Sequence, residues 1–193
     1  IDFDDVIAGF NQAFIPYMNG ILGTEVTYET HRSFFFPDVY GVPLEQMLEH
    51  LADFCHNGGH DTITPIAGAA AALRLLEAKY ELHLVTSRCE SLASVTCDWL
   101  SAYGLNVFTD YHFTNAASLM YPKRKRLKSQ FCQELGVIAL FEDALHNANE
   151  VAEAGIPVIM PTRPWNAEHT VHPKVLRSSG WKAGCNQLRQ IAV

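Results

Sequence analysis

Three carboxylates follow an apolar residue at the head of the chain, in Ile1-Asp2-Phe3-Asp4-Asp5-Val6. In extended backbone, residues two apart project to the same side, so Asp2 and Asp4 can face one pocket while Ile1 and Phe3 face the core. Like charges held that close call for a bound cation, or for a proton kept on one of them. An acidic turn without chemistry is the competing reading of the same six residues. Thr86 and Ser87 end the apolar run Leu82-His83-Leu84-Val85, and a helix is expected to start at Ser87. Two hydroxyls beside the free N–H groups of a helix start make an anion site, with plain helix capping as the alternative. The basic run Lys123-Arg124-Lys125-Arg126, with Lys128, reads either as a solvated loop or as a group facing phosphate. Glu142 and Asp143 end a second buried run, residues 137–141.

The elements that position these groups follow from periodicity. Phe10, Ala13, Phe14, Tyr17, Met18 and Ile21 recur at helical spacing, which predicts an amphipathic helix over 9–23, kinked or broken at Pro16. Strand-like residues 25–28 come next, then the aromatic group Phe34-Phe35-Phe36, read as packing within a helical insertion in preference to a stacking platform. Leu44, Met47, Leu48, Leu51 and Phe54 mark another helix, closed by Asn57-Gly58-Gly59. Further along, helices are predicted over 68–79, from 87 to Gly104, over 128–135 and through Asn147 to Ala154. Strands are predicted over 82–85, 111–113, 137–141 and 156–160. Beyond Pro161 the tail reads as irregular, with Arg163-Pro164-Trp165-Asn166 an aromatic-anchored loop and a closing helix over 184–192. Strands alternating with helices imply an α/β fold, with a mostly parallel sheet covered on both faces and functional residues at the carboxyl ends of the strands.

With 193 residues, 48% of them hydrophobic, the chain can bury a sizeable core. A net charge of −7 argues against a nucleic-acid polymer or an anionic membrane as partner. The longest apolar run, residues 66–72, is too short to span a bilayer. Five cysteines, an odd number with no Cys-x-x-Cys spacing, point to reduced thiols and a cytoplasmic setting. The chain opens at Ile1 with little of the strand that should precede Asp2, so N-terminal residues are expected to be missing, and a targeting segment there would go unseen. Its histidines, among them His31, His56, His60, His146, His169 and His172, show no metal-binding spacing and read as surface or loop residues.

Taken in order, these groups resemble the four motifs of the haloacid dehalogenase-like superfamily. Asp2-Phe3-Asp4-Asp5-Val6 matches the first, Leu82 to Ser87 the second, a helix-start lysine the third, and Phe141-Glu142-Asp143 followed by Asn147 the fourth. Lys128 fits the third motif best, ahead of Lys125 and Lys123. Two departures stand out: Asp5 where many relatives have glycine, and Glu142 where many have aspartate. The resemblance is closest to the 5'-nucleotidase and deoxyribonucleotidase-like phosphatases. It implies a Rossmann-like parallel-sheet core of residues 1–10 and 64–193, with an α-helical cap inserted over 11–63. It further implies a Mg²⁺-dependent phosphatase acting on a small phosphomonoester, with a nucleotide as one candidate, by way of an aspartyl-phosphate. In that scheme Asp2 is the nucleophile and Asp4 the acid–base, with Mg²⁺ on Asp2, Asp143 and the carbonyl of Asp4. Thr86, Ser87 and Lys128 hold the phosphate, and Glu142 and Asn147 stand behind the metal. A catalytically silent binding or assembly subunit of the same fold is the alternative. A phospho-receiver is excluded by motif order and an EF-hand loop by Ile7, which stands where that turn needs glycine.

Overall fold

The computed structural model describes residues 1–116 and 126–192. Its centre is the extended backbone of residues 1–3, which joins two parallel ribbons. On one side Val85 N–H bonds to Ile1 C=O at 2.9 Å, and on the other Asp2 N–H bonds to Phe141 C=O at 2.9 Å. The first ribbon pairs β1 (His83–Thr86) with β2 (Asp110–Phe113), and the second runs β3 (Leu140–Phe141), β4 (Val158–Pro161), β5 (Val175–Ser178). Side chains alternate along these strands between two cores. Leu84, Phe141 and Ile159 join Phe3, Ile7, Leu73 and Trp99 on one face, while Leu140, Val158 and Met160 join Cys132, Ala148 and Val151 on the other. A sheet apolar on both faces must be covered on both, as the parallel arrangement requires.

Helix α1 (Phe10–Leu22) continues through Pro16, so the chain does not break there, and it ends at Gly23 in the left-handed region. After it come α2 (Phe36–Tyr40), α3 (Leu44–His56) and a 3₁₀ turn, Gly59–Thr62. Aromatic rings unite this helical segment: Phe14 lies 5.0 Å from Phe36 and 5.3 Å from Phe54, centroid to centroid. Of the three consecutive phenylalanines only Phe36 packs there, for Phe34 and Phe35 stay 44% and 46% exposed. Residues 25–28 form no strand. Instead the Asn19 side chain takes up the Val26 main chain, accepting from its N–H and donating to its carbonyl, so no ladder is available.

Next in the chain is α4 (Ala69–Glu77), and α5 (Ala93–Ala102) follows β1. Ser87 does not cap a helix. The chain passes through Arg88 and Cys89 into a 3₁₀ turn, Glu90–Leu92, before α5 begins. Later in the chain lie α6 (Lys128–Glu134), α7 (Leu145–Glu153) and α8 (Trp181–Ile191). Strand β5 and the early start of α8 correct the reading of the tail. Gly184 lies inside that helix because a Cβ there would meet Phe141 Cε1 at 2.8 Å, so glycine lets α8 approach the sheet. All five cysteines are free thiols. Among the described residues no helix is long and apolar enough to cross a membrane.

Candidate active site

Asp2 sits where the extended segment leaves the sheet, buried, with its Oδ1 2.7 Å from Lys128 Nζ. Lys128 opens α6, and its ammonium also meets Glu142 Oε2 at 2.5 Å, at the end of β3. The second oxygen of Glu142 accepts the Ala144 N–H at 2.8 Å, so each oxygen of this wholly buried carboxylate has a partner. Asp143 is buried beside it; its Oδ2 accepts the indole N–H of Trp165 at 2.8 Å and its carbonyl accepts from Asn166 Nδ2 at 2.8 Å. Carboxylate oxygens of Asp2, Glu142 and Asp143 lie within 4.8 Å of one another.

One lysine cannot offset three acids. Burial first, and the charge of Glu142 second, push the Asp2 carboxyl up to about 7 against the pull of Lys128. Asp143 is raised well above the ordinary carboxylate range by burial, then by Glu142, Asp5 and Asp2. Burial would lower the Lys128 ammonium, but Asp2 and Glu142 outweigh it and raise it. Close oxygen ligands with surplus negative charge are the donor set a hard dication such as Mg²⁺ prefers, so the cluster fits that ion. Glu142, expected to stand behind the metal, brings a carboxylate oxygen into the same cluster as Asp2 and Asp143.

Asp4 is held in a two-toothed ion pair: Arg88 Nε donates to Oδ2 at 2.9 Å and Nη2 to Oδ1 at 2.8 Å. Asp5 does more than form a turn. Its backbone is left-handed at φ 53°, its carboxylate accepts the Asn11 N–H on both oxygens at 3.2 Å, and its carbonyl accepts from Arg163 at 2.7 and 3.0 Å. The acid thereby satisfies an orphan donor in the first turn of α1, a place glycine leaves bare. Thr86 is buried and its hydroxyl accepts the Arg88 N–H at 3.2 Å, while Ser87 Oγ accepts from Asn147 Nδ2 at 3.3 Å. Asn147 is thus placed on Ser87. Lys123, Arg124 and Lys125 lie outside the described residues, while Arg126 pairs with Glu134.

Several site residues were not foreseen: Arg88, Arg163, Trp165 and Asn166. A signal existed for the last three, because they directly follow the carboxyl end of β4, where the strand-end rule also applies. His31 and His60 are corrected from surface to buried, at 0% and 2% exposure. His31 packs between the rings of Phe36 and Trp165, and His60 contacts Arg88. Among the described residues a second ligand-capable trio, His83, Asp110 and His112, lies on the β1–β2 ribbon. There Asp110 is exposed, and exposed acidic groups of this kind are common without an ion.

No protein-family model and no curated protein matches the chain. Solved structures do. A haloacid dehalogenase-like family hydrolase from Streptococcus pneumoniae aligns over 98% of this chain and 95% of its own, with a TM-score of 0.66 at 15% identity. A Haemophilus somnus protein titled a predicted phosphoglycolate phosphatase aligns over 98% and 95%, at TM-score 0.66 and 14% identity. YfnB from Bacillus subtilis, a HAD-hydrolase by name and crystallised with magnesium, aligns over 100% and 96%, at TM-score 0.60 and 14% identity. The chain therefore has the haloacid dehalogenase-like fold, a parallel-sheet α/β core joined to a helical segment.

Proposed function

We propose that the protein is a Mg²⁺-dependent phosphatase that hydrolyses a small phosphomonoester through an aspartyl-phosphate on Asp2. The observation that carries this reading is the Asp2–Lys128–Glu142–Asp143 cluster, a buried carboxylate held by a lysine among further carboxylates at the carboxyl ends of the sheet. Asp2, Asp143 and the carbonyl of Asp4 would hold Mg²⁺, which when bound offsets the repulsion between a carboxylate nucleophile and a phosphate dianion. With Oδ1 kept by Lys128, Oδ2 of Asp2 attacks phosphorus, forming the acyl-phosphate bond as the ester P–O bond breaks. The leaving alkoxide takes a proton from Asp4. Water then attacks the aspartyl-phosphate, Asp4 takes its proton, and phosphate leaves. Thr86, Ser87 and Lys128 bind phosphoryl oxygens, and residues 11–63 act as the cap over the site. A nucleoside monophosphate is the first substrate to try, because Phe34 of the cap is exposed and lies 4.8 Å from the His146 ring of the core, next to Asn147 and Ser87.

The test is phosphate release from a panel of phosphorylated metabolites and nucleotides with Mg²⁺. Turnover that vanishes in Asp2→Asn supports the reading; turnover undiminished in that variant ends it. Wild-type protein that turns over no member of the panel, yet co-elutes with a fixed partner, points to a binding subunit instead.

A further inference from the structure

We infer that Arg88 is a positioning residue for Asp4, fixing the carboxylate that the proposed reaction uses for proton transfer; the inference rests on that reading of Asp4. The guanidinium is anchored by groups other than its target. Nη1 donates to Thr96 Oγ1 of α5 at 3.0 Å and meets His60 Nε2, in the turn that closes the helical segment, at 2.6 Å. The Thr96 hydroxyl spends its own proton on the Leu92 carbonyl at 2.7 Å, which leaves its lone pairs for Arg88. His60 accepts only when neutral, and burial followed by the charge of Arg88 pushes its pKa down to about 4. Below the guanidinium lies Phe3, with Arg88 Cζ 4.3 Å from the ring centroid. The main chain is pinned as well, since Arg88 N–H bonds to Thr86 Oγ1 and Arg88 C=O accepts from Asn115 N–H. The plane of the fork is thus set before Asp4 arrives, and a planar fork admits a carboxylate in one orientation.

Stability alone does not account for this pair. The Arg88 side chain is 5% exposed whereas that of Asp4 remains 30% exposed. Desolvating a cation for a partner still in contact with water returns little, because solvent screens the attraction. What the arrangement supplies is direction: Arg88 holds both Asp4 oxygens in one plane while the carboxylate keeps contact with solvent. His60 also links Arg88 to the proposed cap, so a shift of that segment reaches Asp4 through a single residue.

The experiment compares leaving groups in single turnovers with Mg²⁺. Para-nitrophenyl phosphate expels a phenolate that needs no proton, whereas an alkyl phosphomonoester expels an alkoxide that does. Release of the alkanol should slow about 100-fold in Arg88→Ala, within the range expected for a lost general acid, while the nitrophenolate burst should fall far less. Added guanidinium ion should restore part of the alkanol release. Arg88→Lys, which keeps a charge but not a fork, should show the same selective loss and carries the test if the alanine variant does not fold. Equal losses on both substrates, or none, would overturn the inference. Asp4→Asn separates the two ideas. Selective loss in Asp4→Asn without selective loss in either Arg88 variant rejects the positioning role, while no selective loss in Asp4→Asn rejects the acid–base reading of Asp4.

Discussion

Trp165 donates its indole N–H to Oδ2 of Asp143 at 2.8 Å, and the next residue, Asn166, binds the Asp143 carbonyl, so the loop after β4 grips this acid at both ends. A carboxylate among like charges has no reason to hold one rotamer unless a donor selects it. Trp165→Phe keeps a ring against Tyr28 and His31 but removes the donor. Loss of such a supporting hydrogen bond should raise the Mg²⁺ concentration for half-maximal turnover by roughly 10- to 100-fold. A metal titration of phosphate release checks it; an unchanged half-point would reduce the contact to packing.

Lys128→Met removes the only cation that touches both Asp2 and Glu142 among the described residues. An uncompensated buried charge costs about 3–5 kcal/mol. Because Mg²⁺ would supply part of the missing charge, melting temperature should drop most in its absence and recover partly when it is added. Turnover should fall by about 100-fold or more, as expected when a charged donor to the transferring group is lost. A variant that melts like wild type without metal contradicts this account.

The order of the site was legible because acids and hydroxyls at the ends of apolar runs are a local signal, and Asp2, Thr86 and Asp143 each carry it. Their partners were not. Arg88 meets Asp4 across 84 residues of sequence, and no local pattern encodes such a pairing. Strand β5 escaped notice because Val175-Leu176-Arg177-Ser178 has a charged residue within it, whose guanidinium reaches out to the carbonyls of Asn166 and His169. His31 and His60 read as surface since histidine is only intermediate in burial by type, and their burial depends on rings and an arginine supplied by distant segments.

Asp5→Asn isolates the one carboxylate of the first motif that the proposed reaction does not use. Burial, then the charge of Asp4, hold its carboxyl well above the usual range. Asparagine also tolerates the left-handed backbone and can still accept the Asn11 N–H. The variant should therefore be more stable at pH 8 by about 1 kcal/mol, the size of a removed like-charge contact at moderate effective dielectric. Denaturant unfolding measures it, with phosphatase turnover retained. Destabilisation would mean that the negative charge itself supports the first turn of α1.

His31 makes stability depend on pH in a defined direction. Burial depresses its pKa from 6.5 to about 4, with the Ser33 main chain opposing only partly, and neither ring nitrogen has a partner of normal hydrogen-bond geometry. Between those values the unfolded chain binds the proton that the folded one refuses, so this contribution is present above about pH 6.5 and is lost as pH falls toward 4. His60 acts the same way, whereas Asp2, Asp5 and Asp143, with raised values, lose stability as pH rises. A difference measurement removes these other groups. His31→Phe keeps an aromatic ring between Phe36 and Trp165 without a titrating group, so any constant packing cost cancels from its pH dependence. Relative to wild type it should gain on the order of 2–3 kcal/mol between pH 7 and pH 4. Parallel stability curves for the two proteins would show that His31 takes up its proton inside the fold.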